Sequence, residues 1–95
     1  MSDSEDGSFG STLALLMREQ GVSYRGLAAR TQLSAGYLNH LVHGNRPAPA
    51  NDVIERIARA FAIEPDTFRD YRMRVVWEAL AERPDLIDTL YRDFS

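Results

Sequence analysis

The chain is 95 residues long, which allows one domain with a modest hydrophobic core and is too short for a second independent one. It has no cysteine and no apolar run near the roughly 20 residues of a membrane span, so disulfides, thiolate metal sites and membrane insertion are excluded and a cytoplasmic protein is expected. Its net charge of −3 is, taken as an average, unfavourable for binding nucleic acid.

The N-terminal part of the chain divides into a tail and a first helix. Residues 1–10 are acidic and rich in glycine and serine, with Phe9 as their one aromatic side chain, and this composition predicts a disordered tail. We expect Ser11 or Thr12 to cap the helix that follows and Gly21 to end it. Its apolar residues recur at helical spacing: Leu13, Leu16 and Met17.

Two short helices joined by a tight turn are predicted next. Ser23 should cap the first of them, which ends between residues 31 and 33. Ser34 should cap the second, and Gly44 should end it. The residues expected to face inward are Leu27, Ala28, Leu38, Leu41 and Val42.

A loop and three more helices complete the predicted fold. Two prolines and a glycine within residues 44–49 predict the loop. The fourth helix ends before Pro65, and its apolar residues are Val53, Ile54, Ile57, Ala58 and Phe61. Pro65 and Pro84 each suit the first position of a helix, which predicts helices over 66–82 and 85–94. No segment alternates as a strand does, so the fold class is all-α.

Charge is distributed unevenly along the chain. Between Ser11 and Asn51 there are four arginines and one glutamate, a net charge of +3. The remainder holds seven arginines against 13 acidic residues, a net charge of −6. This segregation is expected when one end of a protein meets DNA and the other does not.

The two short helices carry a specific residue pattern. A helix pair of this layout can place one helix across the DNA backbone and the next in the major groove. The pattern consists of Tyr-Arg-Gly-Leu-Ala from Tyr24, then Leu33-Ser34, Leu38 and Leu41, with a small residue at Ala28 where the helices pack closely. Over about Leu13 to Tyr71 the chain resembles the Cro/repressor-type (lambda repressor-like) helix-turn-helix family.

That resemblance implies a five-helix domain, here with an extra C-terminal helix, that binds double-stranded DNA and regulates transcription in bacteria. The positions that would contact bases are Ala35, Gly36, Asn39 and His40. The positions that would contact the DNA backbone, and so set register rather than sequence, are Tyr24, Arg25, His43, Asn45 and Arg46.

Three departures from the family pattern have physical consequences. Tyr24 stands where the family often has glutamine; its hydroxyl can donate to phosphate but cannot brace a neighbouring side chain as an amide does. Gln32 stands where glycine is usual in the turn, at a cost on the order of 1 kcal/mol. Met17 and Val42 replace an arginine and a glutamate that often pair in this family, so an apolar contact is expected instead.

The domain is expected over residues 11–71, with residues 72–95 as a C-terminal helical extension. On the predicted fifth helix, one apolar line comprises Phe68, Tyr71, Val75 and Ala79, and a second comprises Met73, Val76, Trp77 and Leu80. A surface helix normally buries a single stripe. The second line should therefore meet the last helix, a second copy of the chain in a homodimer, or both.

Alternative functions remain open at this point. The recognition face has few hydrogen-bonding groups, which favours a protein-interaction module on the same fold, antitoxin-like or a partner of a polymerase or phage factor through the C-terminal helices. An enzyme is not expected, because no nucleophile lies beside a base and no phosphate-binding glycine loop is present. His40 and His43 supply two metal ligands where zinc needs three or four, so neither a metal nor another cofactor is expected.

Overall fold

The computed structural model describes residues 7–95, and this part of the chain contains six α-helices, one short 3₁₀ turn and no strand. The elements are α1 (Phe9–Gln20), α2 (Tyr24–Thr31), α3 (Ala35–Val42), α4 (Asn51–Phe61), the 3₁₀ turn (Pro65–Thr67), α5 (Arg69–Ala81) and α6 (Pro84–Phe94). The predicted all-α class, with five helices and an extra C-terminal helix, is confirmed.

The first helix begins earlier than the sequence predicted. Ser8, and not Ser11 or Thr12, is the N-cap: its hydroxyl accepts the backbone N–H of Ser11 at 3.2 Å. Phe9 and Gly10 therefore belong to α1 and are buried, which corrects the assignment of residues 9–10 to a tail. Residues 1–6 of the predicted tail lie outside the described part of the chain.

The two helices of the predicted DNA-binding unit have the expected bounds and caps. The hydroxyl of Ser23 accepts the N–H of Gly26, and that of Ser34 accepts the N–H of Tyr37, each at 3.0 Å. Between the helices, Gln32 has φ 65°, so a residue other than glycine does adopt the left-handed conformation in the turn. α2 and α3 are thus held by local sequence at both sides of the turn.

One apolar core joins α1 to α4 and the 3₁₀ region. Its buried side chains are Phe9, Leu13, Leu16, Met17, Leu27, Leu38, Leu41, Ile54, Ile57, Ala58, Phe61 and Phe68. Val42 packs against the same cluster as Met17, as expected for an apolar replacement of an ion pair. α1 crosses α3 so closely at Gly10 that a Cβ atom there would lie 2.5 Å from the carbonyl oxygen of Leu41.

Side-chain hydrogen bonds attach the end of α4 to the first two helices. Gln20 donates to the carbonyl of Phe61 at 3.1 Å, and Arg30 donates to the carbonyl of Ala60 at 3.4 Å. These carbonyls belong to the last turn of α4, whose acceptors have no partner within the helix. Arg30, although part of the basic segment, thus contributes a contact within the fold.

The predicted fifth helix over 66–82 is wrong at its start. Residues Pro65–Thr67 form a 3₁₀ turn, and Phe68 has extended backbone angles (φ −90°, ψ 127°) before α5 begins at Arg69. This break directs the Phe68 side chain into the core, where it is 0% exposed and stacks on Phe9 with 4.5 Å between ring centroids. Burial of a large aromatic ring outweighs the continuity of one helical turn.

The C-terminal helices leave a large apolar surface exposed. α6 packs against α5, and neither helix has a fully buried residue. Trp77 is 74% exposed and Phe94 is 86% exposed. The other large exposed apolar side chains here are Met73, Val75, Val76, Leu86, Ile87 and Tyr91. Three residues of the second apolar line of α5, Met73, Val76 and Trp77, are therefore not covered by α6, whereas Leu80 is half-buried.

Candidate nucleic-acid interface

The outward face of α3 contains the residues predicted to read bases. Ala35, Gly36 and His40 are exposed, and Asn39 is half-buried. The opposite face of the helix carries Leu38 and Leu41, both buried in the core. A Cβ atom added at Gly36 would meet nothing within 4 Å, so this end of the helix is open to close approach by a ligand.

The end of α3 is fixed by its own backbone. The N–H of Gly44 donates to the carbonyl of Leu41 at 3.2 Å, and the N–H of Asn45 donates to that of His40 at 2.9 Å. Gly44 has φ 74°, which completes the Schellman arrangement that glycine favours. The direction in which the chain leaves the recognition helix is therefore set before any ligand binds.

His43 makes a local contact that limits its chemistry. Its ring Nδ1 lies 2.8 Å from the carbonyl oxygen of Asn39, which can only accept, so Nδ1 carries a proton and donates it. In the neutral ring, Nε2 is then an acceptor and has nothing to give to a phosphate oxygen. A phosphate contact through this ring requires the imidazolium form.

The predicted backbone-contacting residues flank the two helices. Arg25 is exposed at the start of α2, whereas Tyr24 beside it is half-buried and packs against the core. Asn45 and Arg46 are exposed in the loop after α3. Positive and polar groups thus lie where both helices end or begin, which is where phosphate contacts position such a unit.

A comparison of sequences places this arrangement in a family. Residues 8–71 match the profile of the helix-turn-helix domain, which covers more than half of the chain. The chain belongs to the helix-turn-helix domain family. Membership implies DNA binding, and the matched residues include α1 to α4 and the start of α5.

A solved structure has the same fold. The clp gene regulator ClgR from Corynebacterium glutamicum superimposes with a TM-score of 0.59, over 86% of this chain and 85% of that one, at 24% sequence identity. No curated protein sequence matches the chain significantly.

A groove beside the end of α3 contains two arginines, Arg18 and Arg69, that the sequence interpretation did not assign to the interface. The groove has a volume of about 540 Å³ and lies between α1, the end of α3 and the start of α5. Its basic lining residues are Arg18, His43, Arg46 and Arg69, and its acidic one is Asp70. Arg18 is exposed in the last turn of α1, and only the packing of α1 on α3 brings it to the helix-turn-helix unit.

Two further features of the described residues bear on other functions. Within residues 7–95, no group of three or more acidic or histidine side chains could hold a metal ion, so His40 and His43 gain no third ligand there. Over the same range, no helix has the length and apolar character needed to cross a membrane.

Proposed function

We propose that this chain is a sequence-specific regulator of transcription that binds double-stranded DNA with α3 in the major groove, in the manner of Cro/repressor-type proteins. The observation that carries the proposal is the exposed face of α3, held by capped ends and flanked by Arg25 and Arg46. The helix-turn-helix family and the likeness to a protein described as a gene regulator support it.

Each residue predicted to contact bases has a chemistry suited to one part of DNA. The amide of Asn39 can pair bidentately with adenine, which is worth about 1–3 kcal/mol of discrimination. His40 offers a second polar contact, while Ala35 and Gly36 permit methyl contact or close backbone approach. Few side chains read bases directly, so DNA shape supplies part of the selectivity.

The phosphate contacts come from the ends of the helices. Arg25 and Arg46 are exposed cations that can bind phosphate oxygens, and Tyr24 and Asn45 can donate hydrogen bonds beside them. The imidazolium form of His43 adds a further donor. Arg18 extends this set, because it shares a groove with His43 and Arg46.

Binding to random duplex DNA should weaken steeply as salt concentration rises, because phosphate contacts release counterions. Arg25→Ala and Arg46→Ala should each lower the salt slope by about one, and Asn39→Ala should keep the slope while relaxing sequence preference. Fluorescence anisotropy over a salt series, followed by site selection, measures both effects.

Arg59→Ala is the matched control, because it removes the same charge from the exposed end of α4, which belongs neither to the predicted DNA contacts nor to the proposed dimer surface. Its salt slope should equal that of the unaltered protein. If the unaltered protein binds no duplex DNA even at low salt, the regulator assignment fails and the interaction-module alternative takes its place.

The same proposal includes a homodimer formed through the C-terminal helices. Met73, Val76 and Trp77, together with Arg72, line one exposed and mainly apolar groove on α5, and monomeric proteins rarely leave such a surface in water. A two-fold dimer would use the same patch on both copies and could place two recognition helices about 34 Å apart, one turn of DNA. This spacing predicts a near-palindromic binding site.

Sedimentation should give twice the 10.7 kDa chain mass at micromolar concentration. Because Trp77 is the one tryptophan of the sequence, its emission should shift to longer wavelength on dilution as the dimer dissociates. Trp77→Ala should weaken the dimer by about thirtyfold or more, since a buried tryptophan anchor is typically worth 2 kcal/mol or more.

Asn39→Ala serves as the control for dimer formation, because it alters the DNA face and should leave the mass unchanged. A monomeric mass for the unaltered protein, with Trp77 emission independent of concentration, would contradict the dimer. Such a result would favour a different protein partner for the exposed apolar surface.

A further inference from the structure

The loop between α3 and α4 is held at both of its ends, and the two ends are held by different parts of the chain. At its start, the backbone hydrogen bonds around Gly44 fix the exit from α3. At its end, Pro49 is buried, and the side chain that contacts this part of the loop comes from α5. That side chain is Arg74.

The guanidinium of Arg74 bonds three acceptors at once. Its Nη1 donates to the carbonyl of Pro49 and to the side-chain oxygen of Asn51, the latter at 2.9 Å, and its Nη2 donates to the carbonyl of Ala48 at 3.2 Å. Arg74 itself is half-buried. A planar group with several donors in fixed directions suits such a set of acceptors better than an ammonium does.

The loop has few hydrogen-bond donors of its own in this region. Pro47 and Pro49 have no N–H to donate, so the local turn bonds that usually order a loop are missing. Ala50 is the N-cap of α4 and provides no side-chain hydrogen bond. The carbonyls of Ala48 and Pro49 therefore depend on a donor from elsewhere in the chain.

We propose that Arg74 is a positioning residue for DNA binding: it orders the loop that presents Asn45 and Arg46 to the DNA backbone. The inference rests on the proposed function, since it assigns Arg74 a role in the same site. Arg74 lies beyond the matched helix-turn-helix residues 8–71. The C-terminal extension thus contributes directly to the geometry of the DNA-binding face.

The placement of Arg74 also joins the two proposed surfaces. Trp77 follows Arg74 by one helical turn on α5, and an open groove is lined by both together with Ala50, Asn51 and Glu78. A second copy that covers Trp77 would exclude water from the hydrogen bonds of Arg74. Dimer formation would then strengthen the attachment that orders the loop.

Arg74→Ala should lower the affinity for duplex DNA by about fivefold to tenfold, because the loop must then be ordered during binding instead of beforehand. It should also reduce the salt slope, as Arg46→Ala does, because Arg46 is no longer held near a phosphate. Arg74→Lys should give an intermediate affinity. In the Arg46→Ala background, Arg74→Ala should lose most of its effect. Anisotropy over a salt series measures these quantities.

Arg83→Ala is the matched control. Arg83 carries the same charge just beyond the end of α5, but its guanidinium bonds the carboxylate of Asp85 and makes no contact with the loop. The affinity of this variant should stay within about twofold of that of the unaltered protein. Amide hydrogen exchange without DNA should be faster at Asn45 and Arg46 in Arg74→Ala than in Arg83→Ala.

The outcomes separate this inference from the function on which it rests. If the unaltered protein binds DNA and Arg46→Ala weakens it, but Arg74→Ala binds as the unaltered protein does, the positioning role is wrong. An effect of Arg74→Ala that is equally large with and without Arg46 would also contradict it. If the unaltered protein binds no DNA, the proposed function fails and the positioning role with it, whatever the exchange rates show.

Discussion

Replacing Gly10 by alanine should lower the free energy of unfolding by about 2–3 kcal/mol, because the new methyl group has no room between α1 and α3. It would lie 2.5 Å from the carbonyl oxygen of Leu41 and 2.7 Å from that of Val42. Both are backbone atoms in a helix, so neither can rotate away as a side chain does. Urea denaturation followed by circular dichroism measures the change.

Gly36→Ala is the control for helix propensity. It also replaces a helical glycine, but its Cβ would meet nothing within 4 Å, so alanine should raise the free energy of unfolding by about 0.5–1 kcal/mol. Opposite signs for the two substitutions are the expected result. A Gly10→Ala variant as stable as the unaltered protein would show that α1 can move away from α3 at little cost.

The position of Gly10 also explains why the start of α1 was predicted wrongly. Glycine and serine before Leu13 read locally as a tail, and the sequence offers Ser8, Ser11 and Thr12 as capping residues of similar quality. What selects Ser8 is tertiary: the close crossing at Gly10 and the stack of Phe9 on Phe68 are both made with residues far along the chain. Local sequence patterns do not predict contacts between residues so far apart in the chain.

The centre of the domain could be predicted because its signals are local. Ser23 and Ser34 cap the helices that directly follow them, and Gly21 and Gly44 end helices with positive φ, as their positions indicate. Helical spacing identified most of the buried residues of α2, α3 and α4, but Ala28, Val42 and Val53 are half-buried, and the buried Thr31 was not predicted. In each case the residue and the structure it determines lie within one or two helical turns.

Only part of the candidate site could be predicted from the sequence. The residues on and beside α3 follow from the helix-turn-helix pattern. Arg18 and Arg74 do not, because each reaches the site through the packing of another helix, α1 for one and α5 for the other. The charge distribution along the chain could point to Arg18, which lies in the basic segment. Nothing in the sequence pairs Arg74 with the carbonyls of Ala48 and Pro49, which lie 26 and 25 residues before it.

The contacts of Arg74 with Ala48 and Pro49 show why a positioning residue of this kind cannot be predicted from the sequence. A guanidinium that bonds backbone carbonyls does not require particular residue types as partners, since every residue has a carbonyl. Only Arg74 and Asn51 contribute side chains to these contacts, and Arg74 lies among other arginines on α5. Its role becomes visible when the crossing of α5 over the loop is known.

The start of α5 determines where that crossing lies, and it depends on Phe68. The ring of Phe68 is fully buried, so it fixes the first turn of α5 against the core. Tyr71, one turn later, donates a hydrogen bond to Glu55 of α4 at 2.9 Å, which raises the pKa of the Tyr71 hydroxyl. Arg74 follows at the next turn. Core packing, the attachment to α4 and the loop contact thus succeed one another along one helix.

Phe68→Ala should therefore lower the free energy of unfolding by about 3–5 kcal/mol, the usual cost of emptying a fully buried aromatic site. Phe9→Ala removes the other ring of the stack and should cost a similar amount, and the double variant should cost less than the sum by about 0.5–1.5 kcal/mol. Urea denaturation of the four proteins gives the coupling energy directly.

Phe68→Leu is the conservative companion, because it keeps an apolar side chain in the core and should recover much of the lost stability. The Phe68→Ala variant should also bind DNA more weakly than the unaltered protein at a temperature where it remains folded. The loss should resemble that of Arg74→Ala, because a loosened α5 no longer holds Arg74 against the loop. Full DNA affinity in a folded Phe68→Ala protein would mean that the loop keeps its order without a fixed α5, and the connection from core to DNA-binding face would have to run through α4 instead.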